Sequence, residues 1–136
     1  MSDKGRQKLA QGSGPDGTTW TVTAYGDGDD YYTFIHVDGR QGSLGEGGFG
    51  GPPLHVGEPL NVYHGLADAG PLRLLVRAGL RAETLHVQLQ DGSTRVLTCA
   101  ARVPARGVAV FAALLPRDAH IRALSAEDAD GNRLAG

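Results

Sequence analysis

Period-two alternation of apolar and polar side chains predicts two neighbouring strands in the first half of the chain. The strands span residues 18–25 and 31–37, and a short acidic turn separates them. One face of the first strand carries Trp20, Val22 and Ala24, and one face of the second carries Tyr31, Thr33, Ile35 and Val37. Because successive side chains of a strand point to opposite faces, Tyr31 and Tyr32 cannot both enter a core. We therefore expect a hairpin with at least one tyrosine at its surface.

The same alternation continues through the second half of the chain. Further strands are predicted at residues 54–56, 60–63, 72–77, 84–90, 95–101, 108–115 and 120–127. Asp91-Gly92 predicts a hairpin turn, because both residue types tolerate positive φ. The segments 108–115 and 120–127 are also compatible with helix, although Gly107 and Pro116 favour a strand for the first. About eight regularly spaced strands predict an all-β sandwich or barrel.

Two segments lack this alternation. Residues 1–17 are polar and contain several glycines, which predicts a flexible lead before a single domain over 18–136. Residues 39–53 contain many of the 21 glycines of the chain and predict a long glycine-rich loop. Loops of that length inside a compact domain often carry function.

Composition narrows the partners that we expect. The 136 residues suit one domain, and the net charge of −2 gives no case for nucleic acid. Residues 1–70 sum to −5 and residues 71–136 to +3, which is either surface scatter or a bipolar surface that favours self-association. The longest apolar run, 108–115, is too short to span a membrane. Without a signal peptide the chain is expected to be cytoplasmic, or secreted if it is a fragment of a longer precursor.

The sequence contains partial motifs for cofactor and metal sites, but the residues around them do not form the structure that such sites require. Two G-x-G-x-x-G strings, beginning at Gly12 and Gly45, do not open a helix as a dinucleotide site requires. The string at 128–132 resembles the start of a calcium loop but lacks the length of one. The five histidines show no metal-ligand spacing, and the single Cys99 fits a small buried side chain. We expect no cofactor and no bound metal.

No catalytic constellation is visible either. None of the serines lies in G-x-S-x-G, and the carboxylates show no pairing that sequence alone can identify. The chain is therefore predicted not to be an enzyme. The third-ranked alternative is a histidine-based site built from His36, His55 and His64.

Seven of the eight aromatic residues lie between positions 20 and 63. The candidate binding residues are Trp20, Tyr25, Tyr31, Tyr32 and Phe49. Exposed aromatic rings offer large contact area with a polar tip, which suits recognition, whereas buried ones simply fill a core. We predict a non-catalytic interaction domain that binds a protein or a second copy of itself. The alternative is a small-ligand or carbohydrate-binding module with Trp20, Tyr25 and Tyr32 as a stacking platform.

A resemblance adds to the fold prediction. The chain contains Leu-His-Val-Gln-Leu-Gln-Asp-Gly-Ser from residue 85, Phe-Ala-Ala-Leu-Leu-Pro from 111, and a final strand ending in Asp-Ala-Asp-Gly at 131. Over residues 72–134 this pattern resembles uncharacterised actinobacterial β-sandwich domains. The resemblance implies an immunoglobulin-like antiparallel β-sandwich and transfers no active site.

Overall fold

The computed structural model describes residues 6–26, 30–50, 60–67 and 69–134. In these ranges the chain forms eleven β-strands and two single-turn 3₁₀ helices, Pro15–Gly17 and Pro104–Arg106. The strands are β1 (Gln7–Ser13), β2 (Thr19–Tyr25), β3 (Tyr32–Gly39), β4 (Gly42–Phe49), β5 (Leu60–Gly65), β6 (Leu72–Gly79), β7 (Thr84–Leu89), β8 (Thr94–Thr98), β9 (Ala101–Val103), β10 (Val108–Leu115) and β11 (Ile121–Glu127). The predicted all-β class is confirmed. Across the described part of the chain, no helix has the length and apolar character of a membrane span.

The strands form three antiparallel sheets. The N-terminal sheet is a meander in the order β1-β2-β3-β4. The middle sheet has the order β5-β6-β10-β9, and the C-terminal sheet has the order β11-β7-β8. Consecutive strands β6 and β7 thus belong to different sheets, as do β8 and β9.

The middle sheet packs between the other two sheets. Leu74 and Val76 of β6, with Phe111 of β10, belong to one core cluster with inward side chains of β7. Leu75 of β6 and Val110 of β10 belong to a second cluster with inward side chains of β2 and β3. Since alternate residues point to opposite faces, β6 and β10 are buried on both sides over almost their whole length.

A buried arginine crosses the interface between the N-terminal and middle sheets. Arg77 of β6 is 1% exposed, and burial lowers the pKa of its guanidinium. Its Nη1 donates to the Tyr31 carbonyl at 3.3 Å and to Thr33 Oγ1 at 3.4 Å, while Nε donates to Asn61 Oδ1 at 3.2 Å. The guanidinium also lies 4.5 Å from the ring centre of Phe49. Neutral oxygens and an aromatic face thus replace a carboxylate partner.

A second arginine lies four residues earlier in β6, on the same face of the strand, and is buried in a similar way. Arg73 is 3% exposed, and its Nη2 donates to the Leu44 carbonyl of β4 at 2.5 Å. Its Nε has no hydrogen-bond partner. Among the described residues, no carboxylate lies within ion-pair distance of Arg73 or Arg77. The two arginines therefore connect the middle sheet to β3 and β4 at the cost of burying charge.

The N-terminal predictions needed two corrections. Residues 7–17, which were predicted to belong to a flexible lead, form β1 and a 3₁₀ turn. The predicted glycine-rich loop instead contains β4 from Gly42 to Phe49. β4 lacks apolar alternation because four of its eight residues are glycines, so neighbouring strands supply much of its packing. The Tyr63 ring, for example, fills the space where a Cβ of Gly47 would lie.

The other strands follow the predictions more closely. The ambiguous segments 108–115 and 120–127 form strands β10 and β11. The predicted strand 95–101 divides into β8 and β9, because the chain passes from the C-terminal to the middle sheet at Cys99 and Ala100. The predicted strand 54–56 lies outside the described residues.

The buried Arg77 allows a stability test. Arg77→Ala removes both the hydrogen bonds and the packing of the stem, and we expect a loss of roughly 3–5 kcal/mol in unfolding free energy. Arg77→Met keeps a side chain between the rings but leaves the Tyr31 carbonyl and Thr33 without a donor, at a cost of about 1–3 kcal/mol. Urea unfolding followed by circular dichroism measures both. Equal losses in the two variants would contradict this account.

A capped turn follows β11. The buried Asp128 accepts hydrogen bonds from the backbone amides of Asn132 at 2.9 Å and Asp130 at 3.0 Å, and Arg81 Nη2 lies 3.2 Å from its other oxygen. The amide of Asn132, then that of Asp130 and the charge of Arg81, lower the pKa of this carboxyl, while desolvation opposes them. Residues 128–132, which resembled the start of a calcium loop, therefore form a turn in which the Asp128 carboxylate accepts hydrogen bonds from backbone amides.

The depressed pKa of Asp128 predicts a pH dependence. The carboxylate stabilises the folded state fully above its ordinary value of 3.8, and this contribution disappears as pH falls through the lower folded value. Asp128→Asn should therefore lower the melting temperature at neutral pH, and the difference from the wild type should narrow in acid. Asp118→Asn, in an exposed turn, is the control. A gap between Asp128→Asn and the wild type that is constant with pH would refute the assignment.

Candidate functional site

The outer face of the N-terminal sheet carries a cluster of three aromatic rings, Tyr25, Tyr32 and Phe34. The ring centres of Tyr25 and Tyr32 are 5.2 Å apart, and Tyr25 lies 6.0 Å from Phe34. Tyr32 and Phe34 are 6.3 Å apart with planes only 5° from parallel. Tyr25 is 42% exposed, whereas the other two rings are half-buried. We call these three residues the aromatic cluster.

Two glycines, one in β4 and one directly after it, make room for these rings. A Cβ at Gly50 would collide with the Tyr32 ring, and one at Gly48 would lie 2.8 Å from Phe34 Cα and collide with the Thr33 carbonyl. The rings therefore rest against bare backbone. This close approach accounts for the glycines at positions 48 and 50.

Arg6 extends across the outer face beside this cluster. Its guanidinium carbon lies 4.4 Å from the centre of the Phe34 ring, and its Nε donates to Thr23 Oγ1 at 3.1 Å. Its Nη2 lies 2.8 Å from Glu46 Oε1. One side chain thus links β2, β3 and β4 and covers part of the aromatic cluster.

A polar group adjoins the cluster on the same face. His36 Nε2 lies 3.1 Å from Asp38 Oδ1, and His36 Nδ1 lies 3.9 Å from Glu46 Oε2. All three side chains are between one-third and one-half exposed. The outer face therefore combines aromatic rings, the threonines Thr19, Thr21 and Thr23 of β2 and both signs of charge, which is a composition suited to polar recognition.

The predicted binding residues separate into two groups. Trp20 and Tyr31 are 8% and 4% exposed and lie in the core between the N-terminal and middle sheets, where Phe49 packs beside them. Burial raises the pKa of Tyr31, although the charges of Arg77 and Arg106 oppose this. Trp20 and Tyr31 are therefore buried core residues, and Phe49 is partly buried against the same core.

Tyr25 and Tyr32 lie on the outer face, so the proposed platform with Trp20 does not form. The opposed orientation of Tyr31 and Tyr32 follows the prediction, and the register of β3 decides which one is buried. Two residues of the outer face, Phe34 and Arg6, were missed. Phe34 lies two residues after Tyr32 in β3, so both side chains point to the same face. This spacing would have identified Phe34 as a residue of the outer face.

A cleft of about 780 Å³ opens where four connections meet. Its walls come from the 3₁₀ turn Pro15–Gly17, the β3–β4 turn, the segment before β6 and the segment after β10. Arg40 and Arg117 contribute positive charge, and Asp16 contributes the negative charge. Arg117 Nη1 donates to the carbonyls of Ala67 at 2.9 Å and Gly70 at 3.1 Å, which fixes one wall. Sequence reasoning missed this cleft because its parts are distant along the chain.

The histidine alternative finds no support in the placement of its residues. His36 lies in the N-terminal sheet and His64 in the middle sheet, while His55 lies outside the described residues. Within the described ranges, no group of three or more histidine, cysteine, aspartate or glutamate side chains is arranged to hold a metal ion. Cys99 is partly buried, and its Sγ donates to the Ala101 carbonyl at 3.1 Å.

Comparisons with known protein families, with curated proteins and with solved structures found no match to this chain. The resemblance to actinobacterial domains over residues 72–134 stays a prediction.

Proposed function

We propose that this protein is a non-catalytic protein-binding domain whose contact surface is the outer face of the N-terminal sheet. The observation that supports it most is the aromatic cluster, in which Tyr25 is exposed on the outer face of the sheet and Arg6 covers the neighbouring Phe34 ring. Tyrosine and arginine are enriched at protein interfaces, and charged pairs around them set the register of a partner. The partner is another protein or a second copy of this chain.

The geometry favours a protein over a carbohydrate at this surface. A sugar ring stacks on a free aromatic face, but the rings of the cluster cover one another and Arg6 lies over Phe34. Among the described aromatic residues only Tyr25 is exposed. The cluster presents one exposed tyrosine, Tyr25, whose ring is held in place by Tyr32 and Phe34. A fixed, exposed tyrosine is suited to anchor a protein interface.

The test compares two exposed residues on opposite sides of the fold. Tyr25→Ser should weaken association with a protein partner, or self-association, about tenfold, equivalent to about 1.4 kcal/mol. Val96→Ser, at a 58% exposed site in the C-terminal sheet, is the matched control and should bind as the wild type. Sedimentation velocity measures self-association, and quantitative cross-linked pull-down measures a partner. Equal behaviour of the two variants, or no association at all, would overturn the proposal.

The cleft favours a second candidate function, binding of a small anionic ligand with an apolar part. Its apolar walls include Pro15, Leu44 and Pro71. Arg40 and Arg117 have no carboxylate within ion-pair distance among the described residues. A mostly apolar concavity with a few convergent polar groups is the usual form of a small-molecule site.

Phenyl phosphate and benzoate are suitable probes of the cleft. If it binds such anions, either should raise the melting temperature of the wild type, and Arg40→Gln should abolish the rise. Arg95→Gln, at an exposed position of β8, should leave it intact. An identical shift in both variants would assign the effect to general charge, and no shift in the wild type would remove the small-ligand function.

The order of strands supports a finer proposal about the fold. In an immunoglobulin sandwich, strands A-B-E-D form one sheet, and the facing sheet contains F, C and C′ with G outside F. The orders β5-β6-β10-β9 and β11-β7-β8 correspond to A-B-E-D and F-C-C′. On this interpretation residues 60–134 form an immunoglobulin-type sandwich, the N-terminal sheet covers one face of it, and no described strand takes the position of G.

A further inference from the structure

Within the part of the chain that the structure describes, the outer edge of β11 has backbone groups without a partner. β11 pairs with β7 on one side only, and it is the first strand of the C-terminal sheet. Among the described residues, no backbone hydrogen bond reaches the other side of β11 between Ile121 and Ser125. An unpaired edge of this kind is a template for an added strand.

Side chains on the facing sheet show that this side of the sandwich is open. Val62 of β5 is paired with Val76 of β6, so both side chains point toward the C-terminal sheet. Val76 is fully buried there, whereas Val62 is 39% exposed. Ile121 and Leu124 of β11 are also only partly buried. An inward-facing valine is exposed because nothing among the described residues lies beside β11 to cover it.

The chain itself shows how a strand would pair at this edge. After the turn capped by Asp128, Arg133 forms a β-bridge with Glu127, and the Leu134 amide donates to the Ala126 carbonyl at 2.9 Å. The side chain of Leu134 packs against the core cluster. Antiparallel pairing therefore occupies the last two residues of the edge, and the remainder has no partner among the described residues.

The opposite side of the sandwich is closed. There the chain crosses from β8 to β9, the Cys99 amide donates to the Glu83 carbonyl at 3.1 Å, and the Ala100 amide donates to the Val110 carbonyl at 2.8 Å. These bonds connect the two sheets at that corner. Among the described residues, no such bond joins β5 to β11 on the other side.

Charge indicates the chemistry of the occupant. Arg122 and Arg133 are exposed at the two ends of the open edge, and neither has a carboxylate within ion-pair distance among the described residues. A second copy pairing through its own β11 would bring the same arginines to the same edge, where like charges repel. Acidic side chains at the ends of a strand complement the pair.

We propose that β11 binds an extended segment of another polypeptide by strand addition. The segment runs antiparallel to β11, places apolar side chains at alternate positions against Val62, Ile121 and Leu124, and carries acidic residues at its ends. Main-chain hydrogen bonds supply affinity in this mode, and the alternate side chains supply specificity. This surface is separate from the aromatic cluster, so the proposal stands or falls independently of the function proposed above.

The test uses a defined probe, a fluorescein-labelled peptide of sequence Asp-Val-Thr-Val-Thr-Val-Glu. Fluorescence anisotropy should show saturable binding to the wild-type chain. A peptide with two adjacent central prolines should not bind, because proline lacks the amide donor. Replacing the acidic ends by lysine should weaken binding several-fold, and Arg122→Glu should reverse that preference. Amide exchange at Ile121–Ser125 should slow when the acidic peptide is bound.

Two exposed valines provide the matched variants. Val62→Asp should weaken peptide binding at least about tenfold, because it places a charge in the opening. Val96→Asp, on the outer edge strand β8, should have no effect. The exchange measurement on the wild type decides the matter if Val62→Asp does not fold. Equal binding by the two variants, absence of binding, or a peptide-free dimer that Val62→Asp dissolves would each overturn the proposal, the last by assigning the edge to a second copy.

Discussion

The rest of the structure depends on the pairing of β6 with β10 in a sheet that is buried on both faces. Eight consecutive residue pairs join the two strands, from Val108 with Gly79 to Leu115 with Leu72. Their alternate side chains enter two separate core clusters. Both outer sheets therefore pack against the same two strands, β6 and β10. Loss of this pair would expose apolar surface on both sides at once, at a cost that scales with the area exposed.

Period-two alternation identified the strands whose side chains do the packing themselves. It placed β2, β3, β6 and β7 correctly, and it gave the correct opposition of Tyr31 and Tyr32. It missed β1, where only Leu9 and Ala10 are apolar, and β4, where half of the residues are glycines; rings of partner strands fill the space above Gly12 and Gly47. Gly12 lies under Trp20, just as Gly47 lies under Tyr63. Such contacts join residues far apart in sequence, so no local pattern reveals them.

The candidate sites also differ in whether a local sequence pattern or a contact between distant segments forms them. Parity along β3 is a local property, and it is enough to separate the outward rings from the inward ones once the core face is known. The open edge at β11 is not local, because it follows from the order of strands in two sheets. Val62 illustrates this: in sequence it is an ordinary apolar strand residue, and only the absence of a described neighbour beside β11 makes it exposed. The cleft likewise requires four distant connections to meet.

The arginines of β6 are buried although their alternation with apolar residues predicts a face exposed to solvent. Arg73, Leu75 and Arg77 alternate with apolar residues in the manner of a strand with one face in water, yet the N-terminal sheet covers all three. That sheet meets the charges with carbonyls, a hydroxyl and the ring of Phe49. Replacing Thr33 or Asn61 would take away one hydrogen bond of Arg77 while its charge stays buried, which is more costly than losing an apolar contact. The arginines therefore specify which sheet covers this face and in what register, while the apolar residues around them supply most of the stability.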